Sequence, residues 1–137
     1  MNSRWEDSQK ILWNIKTACF FLTLLSVAED YNIDMGKKDY KVDLLDAAKE
    51  SLKKGWIQND YTVLYDVKIL SYLTGKKVTK KVVTDCGVLK ANEYSVMKYL
   101  DKDKVGNHFR RRYFDVYNGS QTVKYGTIMC YYIYTIG

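Results

Sequence analysis

The chain has 137 residues, 47% hydrophobic and 28% charged, with no proline, 13 tyrosines, three cysteines and one histidine. This length suits a single domain, 1–137, and this balance excludes intrinsic disorder, collagen-like repeats and low-complexity classes. The formal charge of +6 is uneven: residues 1–60 hold nine Lys/Arg against ten Asp/Glu, and residues 61–137 hold 13 against six.

The opening Met1–Asp7 is polar and mixed in charge, unlike a secretory signal. Thr17 is a predicted N-cap of a first helix over Ala18–Ala28, apolar nearly all round and so expected to be buried. The stretch Ile11–Ile15 before it reads either as an earlier turn of the same helix, capped at Asp7 or Ser8, or as a separate entry segment. The 11 residues of Ala18–Ala28 fall short of the ~20 that a membrane span requires. The expectation is a soluble, cytoplasmic protein without a membrane partner. A second helix is predicted from Tyr40 to Lys54, with Val42, Leu45, Ala48 and Leu52 on its buried face and Gly55 as its stop. A third starts at Asp66 as N-cap, buries Val67, Leu70 and Leu73, and stops at Gly75.

Beyond residue 75 the pattern turns to β. Lys77–Thr84 reads as a strand and Ala91–Leu100 as a brief helix. The tail reads as a β-meander, with strands over His108–Tyr117, Gln121–Tyr125 and Thr127–Ile136 and a turn at Asn118-Gly119. Helices first and an antiparallel sheet last make the class α+β.

With one histidine, a two-His metal site within the chain is impossible, and His108 is the only imidazole available to catalysis. Cysteines 19, 86 and 130 are odd in number and lack C-x₂₋₄-C spacing, which fits neither a disulfide framework nor zinc. The eight glycines are isolated, so there is no phosphate loop, and no cofactor or metal is expected.

If the helix starts at Thr17, Cys19 falls in its first turn, where backbone N–H groups and the helix dipole favour a thiolate. A thiolate beside a histidine is the nucleophile of cysteine hydrolases. Asp115, seven residues after His108, is placed to hold the imidazole. A different reading starts from Arg110-Arg111-Arg112 between Phe109 and Tyr113, together with Lys80-Lys81. Basic residues among aromatics suit nucleic acid or an acidic protein partner. Strand alternation would split that run, putting Arg111 on one face with Phe109.

The order of parts, with Cys19 heading a buried helix and His108 opening an antiparallel sheet with Asp115 after it, resembles papain-like cysteine hydrolases of the bacteriocin-processing type. More closely, the chain resembles a family of mobile-element proteins encoded on spirochaete plasmids and prophages. The residues that carry this are Ala18-Cys19-Phe20-Phe21, Lys53-Lys54-Gly55-Trp56-Ile57 with Asn59-Asp60, Val63 and Ile69-Leu70, then Gly106-Asn107-His108-Phe109, and Asn118-Gly119-Ser120 with Thr122 to Gly126. The resemblance implies a papain-like domain in which a buried central helix packs on a C-terminal sheet. It implies Cys19 as nucleophile, His108 as base, Asp115 as orienting carboxylate and a peptide or protein substrate. The amide that helps form the oxyanion hole in such enzymes has its nearest counterpart here in Asn14.

Overall fold

The computed structural model describes residues 18–85, 87–101, 107–111 and 126–137. They form two compact units: the helical part through Val78 together with Ile136–Gly137, and a sheet part over Thr79–Thr135. The class is α+β.

Helix α1 (Cys19–Asp34) is buried at Phe21, Leu22, Leu24, Leu25, Val27 and Ala28. It outruns the expected end at Ala28 because Tyr31 and Asn32 return to the buried side one turn later. Asn32 is buried at a cost offset by hydrogen bonds: its Nδ2 donates to the Ala28 carbonyl at 2.9 Å and to the Leu73 carbonyl at 3.4 Å. The N-cap is Ala18, which makes no side-chain cap bond, in place of the expected Thr17, which lies outside the described residues.

Helix α2 (Leu44–Lys53) begins four residues later than predicted. The preceding segment is held by a backbone hydrogen bond from Val42 N–H to the Glu29 carboxylate of α1 at 3.0 Å. Asp43 then caps the helix, accepting from the Asp46 N–H at 3.1 Å. This offset corrects the predicted face. Val42 is buried from outside the helix, so a stripe counted from it runs out of phase. The helix buries Leu44, Ala47, Ala48 and Ser51, while Leu45 and Leu52 are exposed.

The stop at Gly55 is as predicted. At φ +74° it lets its own N–H reach the Leu52 carbonyl and the Trp56 N–H reach the Ser51 carbonyl, the paired bonds of a Schellman motif. Helix α3 (Asp66–Thr74) buries Ile69, Leu70 and Thr74, with Val67 and Leu73 only half-buried. Its N-cap position is Tyr65, one residue before the expected Asp66, and Gly75 at φ +70° ends it. Helix α1 packs on α3, and α3 on α2.

The sheet comprises β1 (Val78–Val83), β2 (Glu93–Asp101), β3 (Asn107–Arg111) and β4 (Gly126–Ile136), in the order β1-β4-β2-β3. Strand β2 is antiparallel to both β3 and β4. It replaces the helix expected over Ala91–Leu100. A central strand covered on both faces shows no alternation, and Tyr94, Ser95, Val96 and Met97 are all buried in succession. Such a run is indistinguishable by period from a short buried helix. Strand β4 pairs with β2, which places β2 between β3 and β4 among the described strands. The expected turn at Asn118-Gly119 and strand at Gln121–Tyr125 lie outside the described residues.

Two variants test this packing. Ser51 Oγ is buried on α2 without a hydrogen-bond partner. Ser51→Ala should therefore leave stability unchanged or raise it by up to about 1 kcal/mol in urea denaturation, since no bond is lost and a desolvated hydroxyl is removed. The second concerns Glu29, whose pKa is raised, first by burial and then by Asp30, against the lowering effects of Val42 N–H and Lys41. A raised folded pKa means that the native state holds this proton more tightly than the unfolded chain. Its contribution is therefore complete at low pH and is lost as pH rises through the carboxylate range. Glu29→Gln keeps an acceptor for Val42 and abolishes that loss. The Tm of the variant relative to wild type should climb between pH about 4 and about 7.

Candidate functional site

Cys19 is the first residue of α1. Its side chain is half-buried between the fully buried Ala18 and Phe21, and it is in no disulfide. The Cys19 carbonyl accepts the Thr23 hydroxyl at 2.7 Å, which ties down the first turn. Ala18 enters at φ −87°, ψ −9°, already near helical geometry, so the turn starts without an extended capping residue. Cys19 is thus the first α-helical residue, following a 3₁₀ turn at Ala18.

The other proposed catalytic residues are placed differently. His108 lies on β3, in register with Tyr99 of β2 and within the sheet unit. Asp115 and Asn14 lie outside the described residues. Cys130 sits on β4 opposite Lys98, half-buried and in no disulfide, and Cys86 is outside the described residues.

The basic set is split by the strands, as alternation requires. On β1, Lys80 places its ammonium 3.8 Å from the centre of the Tyr132 ring and 6.0 Å from that of Tyr134. Its neighbour Lys81 pairs instead with Glu93 at 3.5 Å. The Glu93 carboxyl is held below its usual range, chiefly by the Lys90 N–H at 2.7 Å and then by Lys81. On β3, Phe109 packs at 5.9 Å from Tyr132. Arg111 is buried, its Nε donates to the Ser95 carbonyl at 3.2 Å, and its guanidinium lies 6.0 Å from the Tyr94 ring. Arg111 is thus engaged within the sheet, while Lys81 pairs with Glu93 from an exposed position. Arg110 lies opposite Met97, and Arg112 lies outside the described residues.

One cluster escaped the sequence reading. Trp56, just past the Schellman stop, faces Tyr72 of α3 with ring centres 5.8 Å apart at 55°. The Tyr72 hydroxyl donates to Asp46 Oδ2 of α2 at 3.0 Å. The only signal in the sequence was the abundance of tyrosine, because the three residues come from separate segments.

Among the described residues, no group of three or more His, Cys, Asp or Glu could hold a metal ion, and no helix is long and apolar enough to cross a membrane. Against known families, curated proteins and solved structures, the chain finds no match.

The role of Arg111 is open to a direct test. Arg111→Ala removes a charge-assisted bond and a buried stem, and should cost about 2 kcal/mol in urea denaturation. Lys80→Ala, which removes a solvent-exposed ammonium from an aromatic ring, should cost no more than about 1 kcal/mol.

Proposed function

We propose that the chain is a papain-like cysteine hydrolase acting on an amide or related acyl bond in a peptide or protein, with Cys19 as nucleophile and His108 as base. The observation that carries this reading is the position of Cys19. It opens a helix buried along most of its length, keeps part of its side chain accessible, and sits where the helix dipole stabilises a thiolate. The placement of His108 on a strand of an antiparallel sheet, after the helical part of the chain, agrees with the papain-like order.

In this mechanism the His108 imidazole takes the Cys19 thiol proton, and the thiolate sulfur bonds to the carbonyl carbon. The tetrahedral oxyanion forms beside the Cys19 backbone N–H and the Asn14 amide. The carbon–nitrogen bond then breaks, and the imidazolium gives its proton to the departing amine. Water, deprotonated by His108, releases the acyl group from sulfur. Asp115 orients the imidazole. The proposed setting is the reducing cytoplasm, where the thiol persists.

The deciding measurement is alkylation by iodoacetamide near neutral pH, followed by peptide mapping. Cys19 should label at least about tenfold faster than Cys130, the excess expected when a thiolate is favoured at a helix start and by a histidine. His108→Ala should remove most of that excess while leaving labelling of Cys130 unchanged. Equal rates at the two cysteines in the wild type would overturn the reading.

A further inference from the structure

We draw no further inference here: the strongest candidate, the patch of the sheet unit where Lys80, Tyr132 and Phe109 come together, carries nothing because the Lys80 ammonium already lies over the Tyr132 ring, Phe109 packs against that ring, and nothing in the structure shows what covers the patch.

Discussion

A helix with almost no solvent face has to settle its polar groups internally, and α1 sets the terms for the whole helical unit by doing so. Phe21, Leu24, Leu25, Val27 and Ala28 are fully buried, and each large apolar side chain so placed contributes about 1.5–3 kcal/mol. The polar residues among them act as fasteners. Thr23 bonds back to the Cys19 carbonyl, Asn32 reaches across to the end of α3, and Glu29 receives the backbone of the segment that leads into α2. Each of these bonds offsets a desolvation cost that would otherwise expel the residue. The entry to α2 and the end of α3 are both anchored to α1 in this way. The first turn, with Cys19, belongs to the same fixed element.

The sheet unit solves a different problem. Strand β2 lies between β3 and β4, so its polar side chains have neighbours on either hand. Arg111 on β3 turns its guanidinium back to the Ser95 carbonyl of β2 rather than outward. Lys80 and Lys81, adjacent in sequence, serve opposite ends of the same economy: one ammonium over Tyr132 and the other against Glu93. The basic excess of the second half of the chain is therefore partly consumed in holding strands together. Runs of like charge on a strand are poor guides to a partner for this reason, since alternation divides them and gives each side chain different neighbours.

The sequence was legible where local chemistry decides the outcome. Glycines 55 and 75 end helices because a left-handed residue is needed there, and both stops stand in the structure. The buried character of α1 was legible from its lack of a polar face. Legibility failed where tertiary context decides. Val42 misled the phase of α2 because it is buried from an extended segment. Residues 91–100 were read as helical because a doubly covered strand has no alternation to show. The Trp56–Tyr72–Asp46 corner was invisible for a simpler reason: it joins residues up to 26 positions apart, and no periodicity spans that distance.

Of the candidate site, Cys19 near a helix start was one of two readings that the sequence allowed, since the apolar stretch Ile11–Ile15 could equally extend the helix. The residues proposed to act with it are drawn from both compact units, with Cys19 in one and His108 in the other. The chain leaves the helical unit after Val78 and returns at Ile136, and the Gly137 N–H is fastened to the Lys77 carbonyl at 2.9 Å. A general base is useful only within hydrogen-bond reach of its nucleophile, and an error of about an ångström costs orders of magnitude in rate. The proposed pair therefore makes a demand on the chain that no local pattern of residues around Cys19 or around His108 can express, which is why the thiol could be singled out from sequence and its partner only paired with it by elimination.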